Sequence, residues 1–78
     1  MIHYELNIQP CFDTEYGKYV SYGVTVCRGS MILRVIEDVS LEKERVESLV
    51  RLFNEEGLSP AQLDEAIEDF LIDFSTGL

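Results

Sequence analysis

The first residues of the chain alternate between apolar and polar side chains, which is the period of a half-buried β-strand. This strand is predicted over residues 2–9, where the apolar side chains on one face are Ile2, Tyr4, Leu6 and Ile8. Pro10 has no backbone N–H to donate to a neighbouring strand. We therefore expect the strand to end at Pro10 and residues 11–17 to form a loop.

Two further strands are predicted over residues 18–27 and 30–37, because both segments are rich in β-branched and aromatic side chains. Arg28 and Gly29 are predicted to form a tight hairpin turn between them, since glycine readily adopts positive φ. Alternation assigns a mixed set of side chains to one face of the sheet, namely His3, Glu5, Tyr19, Ser21, Thr25, Ile32, Arg34 and Ile36. This mixture suits either solvent or a modest homodimer interface, whose candidate contacts are Tyr19, Ile32 and Ile36.

The apolar period changes to 3.6 in the second half, which predicts helices over about residues 41–56 and 60–74. Ser40 and Ser59 are the expected N-caps, and Gly57 is the expected left-handed residue after the first helix. Three strands followed by two helices predict an α+β fold. We expect a three-stranded antiparallel meander with a two-helix hairpin packed on one face.

The chain of 78 residues is predicted to be a single domain, residues 1–78, with a core of marginal size. Such a domain would gain stability from burying more surface, and an exposed strand edge could pair with a second copy. A homodimer at micromolar concentration is therefore expected. The interface is predicted to lie on the strands, either edge to edge or face to face.

The net charge is confined to the second half of the chain. Residues 1–36 carry three acidic and three basic side chains, whereas residues 37–78 carry twelve acidic and three basic ones, which gives −9 overall. This charge disfavours direct binding to nucleic-acid phosphates or anionic lipid and favours a basic protein partner. The chain shows neither a signal-peptide pattern nor the ~20 consecutive apolar residues of a membrane helix, so a cytoplasmic location is expected.

The residue types that most often carry catalysis or bind metals are sparse. His3 is the single histidine, and Cys11 and Cys27 lack metal-type spacing. We interpret the histidine as a strand-face side chain near solvent and the cysteines as reduced, partly buried thiols. The sequence therefore predicts no catalytic, metal or cofactor site, and a protein that is not an enzyme.

Carboxylates crowd the second predicted helix. Several lie four residues apart, where like charges repel each other by roughly 0.2–0.5 kcal/mol per pair. Ile72 lies on the same side, opposite the apolar stripe of the helix. A solvated acidic face and a face that docks a basic partner both remain open, and the candidate partner contacts are Glu65, Glu68, Asp69, Ile72 and Asp73.

Several short motifs between residues 20 and 71 resemble a family of short bacterial cytoplasmic proteins defined as a domain of unknown function. The motifs are Tyr22-Gly23-Val24, Ile36-Glu37-Asp38-Val39-Ser40, Leu49-Val50, Phe53-Asn54, Leu58-Ser59-Pro60, Leu63 and Ile67-Glu68-Asp69-Phe70-Leu71. The family often has a histidine directly before the leucine that follows Ser-Pro, and this sequence has Gln62 there. The resemblance implies a cytoplasmic bacterial protein and carries no activity over to it.

Three functional hypotheses follow from these features. The leading one is a small acidic protein-interaction or regulatory module without enzymatic activity. The alternative is an inhibitor-type protein, such as an immunity protein, an antitoxin or a nucleic-acid mimic, whose acidic second helix docks a basic partner. The third is an enzyme with an unfamiliar site, which requires a concave pocket that holds two carboxylates.

Overall fold

The computed structural model describes the backbone of residues 1–76 and the side chains of residues 1–72. Its elements are β1 (Ile2–Asp13), β2 (Gly17–Arg28), β3 (Met31–Ser40), α1 (Lys43–Glu56), a short 3-10 helix (Pro60–Gln62) and α2 (Leu63–Thr76). The strands form an antiparallel sheet in the order β1-β2-β3. The predicted α+β fold, with its three-stranded meander followed by two helices, is confirmed. Among the described residues, no helix has the length and apolar character needed to cross a membrane.

The predicted end of the first strand at Pro10 is wrong. β1 continues to Asp13, and Pro10 pairs with Val20 of β2. The physical reason is that β1 is an edge strand, and proline is tolerated where the missing N–H would point away from the sheet. The turn comes later, where Oδ1 of Asp13 accepts hydrogen bonds from the backbone N–H groups of Glu15 at 2.7 Å and Tyr16 at 3.1 Å.

The second hairpin turn lies one residue later than predicted. Arg28 pairs with Met31, so the turn consists of Gly29 and Ser30 instead of Arg28 and Gly29. Gly29 has a φ of +60°, the conformation for which glycine was expected in this turn. Arg28 therefore belongs to β2.

The assignment of β3 side chains to the two faces is also partly wrong, because the pairing of β2 with β3 shifts register twice. Each shift places extra residues on β3, and an odd extra residue moves the following side chains to the opposite face. Ile36 pairs with Val24 and packs against the core, while Arg34 pairs with Val26 and reaches α2. Ile32 pairs with Cys27 and stays on the open face, the sheet face away from the helices.

The core lies between one face of the sheet and the two helices. Its buried members are Tyr4, Val24, Val26, Val39, Val46, Leu49, Val50, Phe53, Leu63 and Ile67. Phe70 is only half-buried at the margin of this cluster. The apolar stripes of both helices thus face the sheet, as their spacing predicts.

The start of α1 differs from the predicted one, whereas its end agrees with the prediction. α1 begins at Lys43 after an N-cap at Glu42, because Ser40 remains paired in β3 and its Oγ accepts from the Glu42 N–H at 3.1 Å. Ser40 is therefore not the N-cap. At the other end, Gly57 has a φ of +62°, and the N–H of Leu58 donates to the carbonyl of Phe53 at 3.0 Å.

Tyr4 and Asn54 fasten β1 to α1. The backbone N–H of Tyr4 donates to Oδ1 of Asn54 at 2.7 Å, and Nδ2 of Asn54 donates to the carbonyl of Tyr4 at 2.9 Å. The hydroxyl of Tyr4 donates to the carbonyl of Leu58 at 2.6 Å, and its ring meets Phe53 edge to face. Because β1 is an edge strand, Asn54 occupies backbone groups that a second copy would otherwise pair with.

Candidate functional site

The outer side of α2 carries a narrow acidic stripe. Glu65, Glu68, Asp69 and Ile72 are all exposed, and Ile72 retains 57% of its accessible surface. Their spacing of three, four and seven residues places them on one side of the helix. Leu63 and Ile67 are buried on the opposite side. We call Glu65, Glu68, Asp69 and Ile72 the acidic face of α2. The side chain of Asp73, the fifth predicted contact, lies outside the described residues.

One carboxylate in the first turn of α2, that of Asp64, is paired with a basic side chain of the sheet. Arg34 of β3 donates from Nη2 to Oδ1 of Asp64 at 2.7 Å and from Nη1 to Oδ2 at 3.0 Å, which makes the ion pair bidentate. The hydrogen bond from Arg34 and its positive charge hold the pKa of Asp64 below its ordinary value. Because this pKa is lowered in the folded state, the stabilisation exists above the unfolded pKa of the carboxyl and is lost as pH falls through the folded pKa.

The acidic face of α2 itself has no such ion pair among the described side chains. Among the side chains that the structure describes, ion pairs join His3 to Glu5, Arg34 to Asp64, and Arg45 to Glu42. None of these pairs includes Glu65, Glu68 or Asp69. The three carboxylates therefore present negative charge, without an ion pair among the described side chains, beside an exposed isoleucine.

The three predicted dimer contacts do not form a single patch. Ile36 is half-buried against the core, so its predicted place on the open face is wrong. Tyr19 pairs with Cys11 and Ile32 pairs with Cys27, near opposite ends of β2. At ~3.3 Å per residue, the two are about 26 Å apart along the strand. Ile32 remains a candidate contact because 62% of its surface is exposed.

A surface pocket of about 780 Å³ is lined by Glu42 and Glu44 together with Lys43 and Arg45. A smaller pocket, of about 410 Å³, also holds two carboxylates. It is lined by Asp13, Tyr16, Tyr19, Asp38 and Leu41. Both acids already have structural roles, since Asp13 accepts turn hydrogen bonds and Asp38 accepts from the buried hydroxyl of Ser21 at 2.5 Å. Hydrogen bonding with Cys11 is the main cause that raises the pKa of Tyr19, with smaller effects from the Cys11 charge, burial, Asp38 and Asp13. The pocket thus satisfies the geometric requirement of the enzyme hypothesis without showing a free acid–base pair.

A cluster that sequence reasoning missed lies on the open face of the sheet. His3 and Glu5 alternate along β1, and Cys27 of β2 pairs directly with His3. One donor atom from each side chain lies within 4.8 Å of the other two. Burial, and then the charge of Glu5, raise the pKa of the Cys27 thiol. The predicted strand ends, Gln9 and Lys18, would set His3 opposite Val24. Only the observed register, in which β1 continues to Asp13 and pairs with Gly17, sets His3 opposite Cys27.

A family model described as "Family of unknown function (DUF6514)" matches residues 1–73. Neither the curated proteins nor the solved structures include a significant match. The matched segment contains all three strands, α1 and most of α2. The chain therefore belongs to the family of unknown function DUF6514.

Proposed function

We propose that this protein is a non-enzymatic interaction module of the bacterial cytoplasm that binds a basic protein through the acidic face of α2. The observation that carries the proposal is the contrast within α2. Asp64 is matched by Arg34, whereas Glu65, Glu68 and Asp69 stand exposed without an ion pair among the described side chains. Uncompensated charge of one sign attracts a partner of the opposite sign and accelerates encounter.

The exposed isoleucine supports the interpretation of the acidic face as a docking surface. Ile72 lies at the C-terminal end of the stripe, one turn from Glu68 and Asp69, and 57% of its surface is exposed. An apolar contact next to charged side chains supplies the two parts of a small interface, an apolar anchor and a polar rim. A basic partner with an apolar pocket would match both the carboxylates and the isoleucine.

The inhibitor hypothesis is the narrower form of the same proposal. In that case the basic surface of the partner is its active site, so binding would abolish the activity of the partner. In the broader hypothesis the partner stays active. An activity assay on the captured partner, with and without this protein, distinguishes the two.

A capture experiment with matched charge variants tests the proposal. The α2 variant replaces three acidic side chains on the proposed surface: Glu65→Lys, Glu68→Lys and Asp69→Lys. The α1 variant makes the same change in net charge at three exposed positions of the other helix: Glu47→Lys, Glu55→Lys and Glu56→Lys. Each immobilised protein is incubated with an extract of its source cells, and the retained proteins are quantified by mass spectrometry.

We expect a basic protein to be retained by the wild type and the α1 variant and to be lost with the α2 variant. Loss of electrostatic steering should lower its association rate by about tenfold or more at ~0.15 M salt. Equal loss from both variants would contradict the proposed surface, because it would show that only the net charge matters. Undiminished retention by both variants would also contradict it, because the partner would then not depend on these carboxylates. Retention lost only with the α1 variant would place the interface on α1 and contradict the proposal.

A homodimer is also proposed, with its interface on the open face of the sheet. Ile32 is exposed there, and Val35 lies nearby because it pairs with Thr25, two residues before the partner of Ile32. Edge-to-edge pairing through β1 is less favourable, since Asn54 already bonds the outer backbone groups of Tyr4. A face-to-face dimer also keeps the two acidic helical layers apart.

Sedimentation equilibrium at micromolar concentrations tests the dimer. We expect Ile32→Asp to dissociate it, because a buried carboxylate without a partner opposes association. Ile72→Asp is the matched control, since it introduces the same side chain on the helical side and should leave the dimer intact. A wild-type monomer at every concentration and salt would contradict the dimer, as would dissociation by Ile72→Asp alone.

A further inference from the structure

The cluster of His3, Glu5 and Cys27 is built on the most regular part of the sheet. β1 and β2 pair without a register shift from Ile2 to Asp13, so the backbone holds all three side chains on rigid neighbouring strands. Nε2 of His3 lies 2.8 Å from Oε2 of Glu5. Sγ of Cys27 completes a triangle whose donor atoms all lie within 4.8 Å of one another.

These dimensions bracket those of a zinc site. Zinc binds cysteine sulfur at about 2.3 Å and histidine nitrogen or carboxylate oxygen at about 2.0–2.2 Å. In a tetrahedral arrangement these bond lengths place neighbouring donor atoms roughly 3.3–3.8 Å apart. Nε2 of His3 and Oε2 of Glu5 are 2.8 Å apart, and one donor atom from each of the three side chains lies within 4.8 Å of the other two, so the donors are close enough to converge on one ion.

The donor set selects among cations. A thiolate together with an imidazole favours zinc and other thiophilic transition metals, whereas calcium and magnesium prefer sites made of oxygen ligands. Cys27 is 5% exposed and His3 is half-buried, while Glu5 is exposed. The thiol thus lies on the buried side of the site, and the carboxylate lies on the side that faces solvent.

We propose that His3, Glu5 and Cys27 form a three-ligand zinc site on the open face of the sheet, with the fourth coordination position open to solvent in the monomer. The interaction between His3 and Glu5 is then the resting contact of two ligands, which opens when the metal enters. This site is separate from the acidic face of α2. The zinc proposal therefore does not depend on whether the protein binds a basic partner.

Cobalt is the first probe, because a cobalt–thiolate bond produces a charge-transfer absorption in the near ultraviolet that carboxylate or imidazole ligands alone do not produce. Metal-free full-length protein is titrated with Co²⁺, and the band is then displaced with Zn²⁺ to give the zinc affinity. Cys11→Ser is the matched control, since Cys11 is the other free cysteine and lies at the far end of the strand pair. Circular dichroism establishes that each variant is folded.

We expect the band in the wild type and in Cys11→Ser, and its absence in Cys27→Ser. His3→Gln and Glu5→Gln change partly exposed side chains, so they keep the test informative even if Cys27→Ser unfolds. Each should weaken zinc binding by at least about 10–100-fold, the effect that losing an outer partner of a ligand already has. Zinc should also raise the thermal unfolding midpoint of the wild type and Cys11→Ser.

Three outcomes would overturn the proposal. One is the absence of a thiolate band in the wild type when cobalt is in excess. Another is zinc affinity that remains unchanged in folded His3→Gln and Glu5→Gln, which would leave His3 and Glu5 as a surface ion pair only. A band that disappears with Cys11→Ser would likewise assign the metal to the wrong cysteine.

Discussion

Replacing Gly23 with alanine should destabilise the domain by about 3 kcal/mol or more, because added volume at this point meets backbone instead of a movable side chain. A Cβ atom at Gly23 would lie 2.0 Å from the carbonyl oxygen of Ile36 and 3.1 Å from Cα of Glu37. These atoms belong to β3 at its register shift beside Tyr22 and Val24. The strand must move away, which disturbs the pairing that places Ile36 in the core. Chemical denaturation measures the loss.

Gly29→Ala is the control for Gly23→Ala. Gly29 has a φ of +60° and nothing within 4 Å of the position of its Cβ, so alanine there introduces backbone strain without a collision. The left-handed conformation should cost about 1–2 kcal/mol. If Gly23→Ala lowers the free energy of unfolding no more than Gly29→Ala does, then β3 does not approach β2 as closely as described.

Leu63→Ala should lower the free energy of unfolding by about 2–5 kcal/mol, a large share of the stability of a small domain. Leu63 is fully buried at the start of α2 and packs in the central cluster with Ile67. Its truncation leaves a cavity where the helix meets the sheet. Alanine is a good helix former, so the loss reports packing and not helix propensity.

Leu71→Ala is the matched control for Leu63→Ala because it makes the same change in the same helix. Leu71 keeps 40% of its surface exposed, and its replacement should cost less than half as much. The half-burial of Phe70 places its cost between the two, although its central position in the apolar stripe alone suggests the largest loss. Equal losses for the two leucines would show that α2 does not pack as described.

The elements of this fold are readable from the sequence because each carries a local signal. Alternation marks the strands, and the spacing of Val46, Leu49, Val50 and Phe53 marks α1. Gly57 ends that helix in the predicted left-handed conformation. These features depend only on residues close together in the chain, so they require no knowledge of the sheet.

The errors come from features that depend on the position of a strand in the sheet. Pro10 reads as a strand end, but it continues β1 because only one side of an edge strand is paired. Ile36 and Arg34 change faces because β3 contains extra residues that alternation alone does not reveal. His3, Glu5 and Cys27 meet only through cross-strand pairing, so their spacing along the chain gives no metal signature.

The proposed docking surface combines both kinds of information. Counting charges along the sequence identifies the acidic helix, but it does not separate Asp64 from its neighbours. The structure makes this distinction, because Arg34 reaches Asp64 only after the register shift turns it toward α2. Glu65, Glu68 and Asp69 are left as the uncompensated carboxylates that the charge variants address.

The affinity of the captured basic partner, measured by titration calorimetry as a function of salt concentration, tests the proposed surface most directly. For the wild type and the α1 variant we expect tight binding that weakens steeply as salt screens the charges. For the α2 variant we expect weak binding with a shallow dependence on salt. Wild-type affinity in the α2 variant, with the same salt dependence, would contradict the proposal that the acidic face of α2 binds the partner.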